Sequence, residues 1–199
     1  GKRLSEVLKE RVFAPLGMHD TGFSVPEAHL DRLTTSYWTN YATGAVEVFD
    51  PAAGGQWSTP PAFPSGAAGL VSTADDFLAF GEMLLSHGIR DGARVLSRPS
   101  VELMTSDHLT PHQKAISGLL PSDFDHQGWG FGMAIVTRRD DLASNIGSYG
   151  WSGGMGTLWS NDPREDLIAI LLTQRSFDSP AAPAICRDFL TLAYQAIDD

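Results

Sequence analysis

The feature that most constrains the fold is a glycine-rich stretch at residues 149–157, Tyr-Gly-Trp-Ser-Gly-Gly-Met-Gly-Thr, between strand-like runs at 129–137 and 166–173. Glycine is favoured where the backbone takes a positive φ or where another group approaches it closely. In a strand, Gly153 and Gly154 would lay bare peptide N–H groups, which are the donors that stabilise a developing oxyanion. The stretch therefore predicts one wall of an acyl-transfer site, and we expect the nucleophile to come from outside these 199 residues.

Composition excludes several classes of protein. Apolar residues make up 42% and charged residues 19% of the chain, which is typical of a soluble globular domain. The net charge of −10 disfavours a nucleic-acid partner. No apolar run approaches the roughly 20 residues that a membrane span requires. Cys186 is the only cysteine, which excludes an internal disulfide and a cysteine metal cluster, and we expect neither a metal ion nor a cofactor.

The opening of the chain predicts a helix over residues 3–13 that Pro15 brings to an end. The chain starts at Gly1, without an initiator Met or a signal peptide, and enters this helix at once. We therefore expect a fragment or a processed piece. Apolar surface that the missing part would cover should promote self-association or pairing with that N-terminal part.

Residues 1–125 are predicted to be helical and rich in loops. A hairpin is expected around Thr43-Gly44, a helix after the capping residues Ser72 and Thr73, and another helix after Ser97. Residues 105–127 are predicted to form a loop. Three aromatic residues near the hairpin either line a pocket or pack beneath the loop, namely Tyr37, Trp38 and Tyr41.

Residues 126–199 are predicted to form an antiparallel sheet and a final helix. Alternating large and small residues over 129–137 favour one strand, and two strands flank the glycine cluster. A turn at 161–165 leads to a buried strand at 167–172, and Pro183 precedes a helix with an apolar face. Short connections imply antiparallel pairing, so both parts of the chain would belong to one α+β domain.

Ser152 admits alternative interpretations. The run from Gly150 to Gly154 matches G-x-S-x-G, the nucleophile elbow of α/β-hydrolases. That fold needs a helix and a histidine after the serine, whereas another strand pattern follows here and all six histidines precede Ser152. A chymotrypsin-like triad and a purely structural glycine hairpin are further alternatives.

Two other patterns lack the context that their chemistry needs. His108 and His112 are four residues apart, but Pro111 lies between them and the Glu of the helical zinc motif is missing, so we predict solvated loop histidines. The alternating glycines of residues 128–132 lie inside a predicted strand, which argues against a dinucleotide site.

Five segments, in this order, resemble the C-terminal half of the serine β-lactamase, D-alanyl-D-alanine peptidase and related esterase family. They are residues 12–21, 66–76, 128–132, 150–157 and 171–174. The resemblance implies a β-lactamase/transpeptidase-like fold, here incomplete because the N-terminal part is missing. It also implies a serine hydrolase that forms an acyl-enzyme with a small-molecule ester, amide or β-lactam.

The motifs of that family imply roles for the glycine-rich stretch. The Ser-x-x-Lys and Tyr-x-Asn motifs are absent, and the third motif, Lys-Thr-Gly or His-x-Gly, matches Trp151-Ser152-Gly153. By this match the Gly154 N–H is one oxyanion donor and Ser152 is a hydrogen-bonding residue of the site. Trp151, Gly153 and Met155 would contact the substrate.

Trp151 departs from the family pattern. Lys or His at this position would bind a substrate carboxylate, whereas Trp offers an apolar face and one N–H. The resemblance therefore favours the family's esterases over efficient β-lactam hydrolysis. We expect this chain to be inactive alone; the alternative is a non-catalytic ligand-binding module of the same fold.

Overall fold

A computed structural model of the chain describes residues 1–117 and 124–198. The helices are α1 (Leu4–Leu8), α2 (Ala14–Leu16), α3 (Ala74–Leu85), α4 (Arg98–Met104), α5 (Pro111–Ile116) and α6 (Ala184–Gln195). The strands are β1 (Ser36–Thr39), β2 (Val46–Asp50), β3 (Ile89–Arg90), β4 (Ala93–Arg94), β5 (Gln127–Trp129), β6 (Ala134–Val136), β7 (Tyr149–Gly153), β8 (Thr157–Asp162) and β9 (Leu167–Leu172). Within these residues, every helix is too short or too polar to cross a bilayer.

One five-stranded sheet dominates the structure, in the order β5-β6-β7-β8-β9. Every neighbouring pair is antiparallel, and the longest ladders join β7 to β8 and β8 to β9. Chain-adjacent strands are also neighbours in the sheet, which is the common arrangement of consecutive antiparallel strands. The predicted α+β class, with an antiparallel sheet, is confirmed.

The single strand predicted over 129–137 is wrong. The chain reverses between β5 and β6, where the Gly130 N–H donates to the Met133 carbonyl at 2.9 Å and Gly132 has a φ of 85°. A positive φ is readily accessible to glycine and disfavoured for other residues. The alternation of large and small residues over 129–137 therefore spans a hairpin, with β5 before the reversal and β6 after it.

The predicted end of the first helix at Pro15 is also wrong. The helix continues through a π-helical stretch, Lys9–Phe13, into α2, and ends at Gly17 with a φ of 71°. Proline cannot donate a hydrogen bond, and its ring crowds the carbonyl of the preceding turn. The wider turn, in which the Ala14 N–H reaches the Lys9 carbonyl, lets helical geometry persist through Pro15.

Part of the predicted loop at 105–127 is helical. The Thr110 hydroxyl accepts from the Gln113 N–H at 3.2 Å, and the Gln113 side chain accepts from the Thr110 N–H at 2.9 Å. This reciprocal capping box starts α5. Residues 118–123 of the predicted loop lie outside the described residues.

The other helix starts and the hairpin agree with prediction. Thr73 caps α3 and Ser97 caps α4, and β1 and β2 form the expected antiparallel hairpin. The hairpin attaches to the segment after β9, because the Tyr37 N–H donates to the Gln174 carbonyl at 2.8 Å. It thereby lies beside the end of the main sheet that carries the glycine cluster.

The core lies between α3 and the sheet. Phe77 and Phe80 of α3 contact the Trp159 ring, with ring centroids 5.6 and 5.9 Å away. At the end of β8, Asn161 and Asp162 are almost completely buried. The predicted turn at 161–165 therefore starts later than expected, because these two polar residues complete the strand.

The far side of the sheet is less covered. The predicted helix after Pro183 is confirmed as α6, but its predicted apolar face is largely exposed: Ile185 is 53% and Leu192 64% accessible. The outer edge of β9 has no strand partner within residues 1–117 and 124–198. The described domain thus presents a free strand edge and, on the helix that contacts β9, exposed apolar residues.

Candidate active site at the β7–β8 turn

The glycine-rich stretch forms β7, a three-residue turn at 154–156 and the start of β8. Its glycines occur for the two expected reasons, which are the close approach of a neighbouring strand and a positive φ. A Cβ at Gly150 would lie 2.0 Å from the Trp159 carbonyl oxygen, so the neighbouring strand excludes any side chain there. Gly156 has a φ of 90° and lies against the Arg175 carbonyl oxygen.

Gly154 presents an exposed backbone amide. The peptide that carries its N–H is held through the Gly153 carbonyl, which accepts from the Gly156 N–H at 3.0 Å, and the Gly154 carbonyl of the following peptide accepts from the Phe177 N–H at 2.8 Å. The Gly154 N–H donates to no backbone acceptor in the described part of the chain. A Cβ at Gly154 would meet nothing within 4 Å. An N–H that is held in this way and has no acceptor among the described residues can donate to an oxygen that becomes negatively charged.

Ser152 and Gly153 lie in β7 and are half-buried. They pair with Leu158 and Thr157 of β8, whereas the ladder with β6 reaches only Gly150. The β6-facing edge of β7 is therefore unpaired beyond Gly150 within the described sheet. A strand, a turn and a second strand surround Ser152, which differs from the strand–turn–helix context that a nucleophile elbow requires.

Trp151 carries the aromatic part of the site. Its side chain is 53% accessible, and its ring lies edge-on to the ring of Trp129, with centroids 4.6 Å apart at 85°. Edge-to-face geometry is a favourable arrangement of two aromatic rings. The structure thus brings two of the sequence segments together at one end of the sheet, while Met155 sits half-buried in the adjoining turn.

The backbone of Trp129 is held by the segment after α4. The Asp107 carboxylate accepts from the Trp129 N–H at 3.1 Å, and the Trp129 carbonyl accepts from the His108 N–H at 2.9 Å. Lys114 pairs with Asp107 at 2.6 Å. Burial alone would raise the Asp107 pKa, but the Lys114 ammonium and two backbone N–H donors outweigh it and lower that pKa.

Asp107, Lys114 and Trp129 were not predicted as site residues. The available signal was indirect: small residues in the 129–137 pattern indicate close approach by another element. A Cβ at Gly128 would indeed lie 2.0 Å from the Asp107 Cγ. The sequence does not identify that approaching element, because Asp107 lies 22 residues before Trp129.

The two histidines considered as a zinc pair lie close to this segment. The His108 ring stacks on Phe131 with centroids 4.7 Å apart, and its Nε2 lies 2.7 Å from the Leu103 carbonyl oxygen. His112 belongs to α5. Across residues 1–117 and 124–198, no group of three or more His, Cys, Asp or Glu side chains is arranged to hold a metal ion.

A polar cluster joins the β1–β2 hairpin to the segment after β9. Arg175 contacts the Thr39 hydroxyl and the Asp178 carboxylate, the latter at 3.2 Å. Thr39 also donates to Asp178 at 2.6 Å, and the Tyr41 hydroxyl donates to the Asp178 backbone carbonyl. Two of the three aromatic residues predicted near the hairpin contact each other: Tyr41 is exposed, and the Trp38 ring lies edge-on to it.

Comparison with known proteins identifies the fold family. A family model described as Beta-lactamase matches residues 1–191. The chain belongs to the beta-lactamase family. It is 38% identical over 190 residues to Protein Rv1367c of Mycobacterium tuberculosis, covering 91% of this chain and 47% of that protein.

The chain is also similar to a penicillin-binding protein and to two esterases or hydrolases. Penicillin-binding protein 4 of Amycolatopsis lactamdurans is 30% identical, over 87% of this chain and 42% of that protein. Esterase EstB of Burkholderia gladioli is 26% identical, over 92% of this chain and 47% of the esterase. A solved structure described as EstCE1, a hydrolase with promiscuous acyltransferase activity, has a TM-score of 0.71 and 26% identity, covering 94% of this chain and 50% of that one.

These matches confirm the suspected family and the β-lactamase/transpeptidase-like fold. The chain spans about half the length of the curated relatives it matches.

Proposed function

We propose that this chain supplies the third motif and the oxyanion strand of a serine hydrolase that acts through an acyl-enzyme. The observation that carries the proposal is the Gly154 N–H, which has no backbone acceptor among the described residues and lies on a peptide held by the hydrogen bond from the Gly156 N–H to the Gly153 carbonyl at 3.0 Å. Membership of the beta-lactamase family supports it. In such a reaction a serine hydroxyl attacks the carbonyl of an ester or amide, and the alcohol or amine leaves with the proton of the serine. Water then hydrolyses the acyl-enzyme, which frees the serine and releases the carboxylic acid.

Each residue of the stretch then has a distinct role. Gly154 donates one hydrogen bond to the oxyanion, and the second donor is the N–H of a nucleophilic serine outside these 199 residues. Loss of one such donor costs about 10²–10³ in rate. Ser152 hydrogen-bonds the substrate without attacking it, and Trp151, Gly153 and Met155 contact the substrate beside the reacting carbonyl.

The side chains around the turn favour a neutral ester. Trp151 stands where Lys or His of the family motif would bind a carboxylate, and an indole favours an apolar group. Arg175, whose backbone carbonyl lies against Gly156 of the turn, is already paired with Asp178. The names of EstB and EstCE1 support an ester substrate, whereas penicillin-binding protein 4 leaves an amide or β-lactam as the alternative within the same mechanism.

The chain is proposed to be inactive by itself and to pair with an N-terminal part that carries the nucleophile. None of its three lysines, Lys2, Lys9 and Lys114, has a serine three positions earlier, so it lacks Ser-x-x-Lys. The same absence favours a second candidate, a non-catalytic module that binds an ester or acyl ligand at the same turn.

Covalent labelling separates these functions. The chain is incubated with an activated ester or a fluorescent penicillin, alone and joined to the coding sequence found upstream of it, and intact mass is measured. The proposal expects no adduct on the chain alone and stoichiometric acylation of the longer protein on an upstream serine. An adduct on Ser152 would overturn the assigned role, and a longer protein that binds ester without acylation would support the binding module.

A further inference from the structure

The contact between Trp129 and Trp151 depends on a residue from a third segment. Trp151 is fixed by the β7–β8 ladder, opposite Trp159. Trp129 ends the three-residue strand β5, which pairs with β6 on one side only. On the other side, the segment after α4 holds Trp129. The Trp129 N–H donates to the Asp107 carboxylate at 3.1 Å, and the Trp129 carbonyl accepts from the His108 N–H at 2.9 Å.

Asp107 is itself held firmly. Its carboxylate accepts from the Leu109 N–H at 3.0 Å and pairs with Lys114 Nζ at 2.6 Å. Only 23% of the Asp107 side chain and 21% of the Lys114 side chain remain accessible. Gly128 leaves the space that the carboxyl group occupies, because a Cβ there would lie 2.0 Å from Asp107 Cγ. Charge-assisted hydrogen bonds of this kind are stronger than neutral ones.

We propose that Asp107, clamped by Lys114, is a positioning residue that holds Trp129 edge-on to Trp151, and that the two indoles form a platform for a planar apolar group of the substrate. This inference rests on the proposed function, because it assigns the platform to the ester that reacts at Gly154. Three residues of extended chain span about 10 Å, so the platform contacts a group well separated from the carbonyl. It therefore selects an ester with an aromatic acyl or alcohol part.

The indole pair provides a direct spectroscopic readout on the chain itself. Two indoles in contact at a fixed angle produce an exciton couplet in the circular dichroism spectrum. Trp129–Trp151 is the one Trp–Trp contact found within residues 1–117 and 124–198. We expect Trp129→Phe to abolish the couplet and Trp38→Phe to preserve it, since Trp38 contacts Tyr41 instead.

The position of Asp107 is tested by three substitutions. Asp107→Ala removes the acceptor for the Trp129 N–H and should abolish the couplet, while Asp107→Asn keeps one carbonyl oxygen and should restore most of it. Asp141→Ala, at an exposed aspartate, serves as the matched control and should leave the spectrum unchanged. If Asp107→Ala does not fold, Lys114→Met decides: it removes only the clamp, so a weakened couplet supports the proposal and an unchanged one overturns it.

Recognition is measured by calorimetric titration of the chain with methyl naphthoate, a neutral aromatic ester. Trp129→Leu and Asp107→Ala should each weaken binding about three- to tenfold, the amount expected for losing one aromatic pair contact. Parent-like affinity in Trp129→Leu, or a parent-like couplet in Asp107→Ala, would overturn the inference. Neither readout needs a covalent step, so failure of the joined protein to form an acyl-enzyme would end the proposed function without altering these results.

Discussion

Asn161 and Asp162, adjacent in β8, anchor helices on opposite faces of the sheet. Asn161 donates to the Gly81 carbonyl of α3 at 2.8 Å, and Asp162 accepts from the Tyr194 hydroxyl of α6. Successive residues of a strand point to opposite faces, so this pair ties both helical layers to one strand end. Because β8 continues from the 154–156 turn, the two contacts also fix the strand that supports the candidate site.

Replacing Asn161 with Ala should destabilise the domain. The variant leaves two buried groups without their side-chain partner, Trp159 Nε1 at 2.7 Å and the Tyr149 hydroxyl at 3.2 Å, and it removes the link to the Gly81 carbonyl of α3 at 2.8 Å. An unsatisfied buried polar group costs about 1–3 kcal/mol, so we expect a loss of about 2–4 kcal/mol in urea unfolding. Asn40→Ala, which removes two hydrogen bonds that lie at the surface, is the control; equal stabilities of the two variants would contradict the assignment.

Tyr194 should make the domain sensitive to alkali. Burial and the hydrogen bond to Asp162 raise its pKa from 10.0 to about 12. The unfolded chain therefore loses this proton before the folded protein does, and stability falls as pH rises from about 10 to about 12. Unfolding measured across that range should show a shallower pH dependence in Tyr194→Phe. Tyr41→Phe, at an exposed tyrosine, should keep the parent slope; identical slopes in all three proteins would refute the prediction.

The regular elements were predictable because their signals are local. The segments on either side of the glycine cluster indicated β7 and β8, an apolar run indicated β9, and short connections indicated their antiparallel order; capping residues marked the starts of α3 and α4. The family followed from several short segments in a fixed order. These signals depend on neighbours within a few residues, which a sequence displays directly.

The errors arose where tertiary partners override local preference. Asn161 and Asp162 are typical turn residues, yet α3 and α6 supply partners that let them lie buried in a strand. The reversal at Gly132 depends on a backbone conformation that alternation does not encode. Asp107 acts on Trp129 from 22 residues away, and no periodicity links them.

The oxyanion role of Gly154 can be isolated by two substitutions at one position. Gly154→Pro removes the N–H, whereas Gly154→Ala retains it, and the Cβ would meet nothing within 4 Å. In the protein joined to its upstream sequence, we expect acylation by an activated ester to fall about 10²–10³-fold in the Pro variant. The Ala variant should stay within about tenfold of the parent. Similar rates in the two variants would remove Gly154 from the mechanism.

The exposed side of α6 should make the isolated chain self-associate. Ile185 and Leu192 of α6 are more than half accessible, and β9, which α6 contacts, has no strand partner at its outer edge among the described residues. Burial of each such side chain is worth about 1.5–3 kcal/mol, and a free strand edge adds backbone hydrogen bonds. Light scattering should therefore find dimers or larger species, and the double variant Ile185→Glu, Leu192→Glu should shift them towards monomer. Leu142→Glu alters an exposed loop leucine and should not. A parent chain that stays monomeric at all concentrations would contradict the prediction that this face drives self-association.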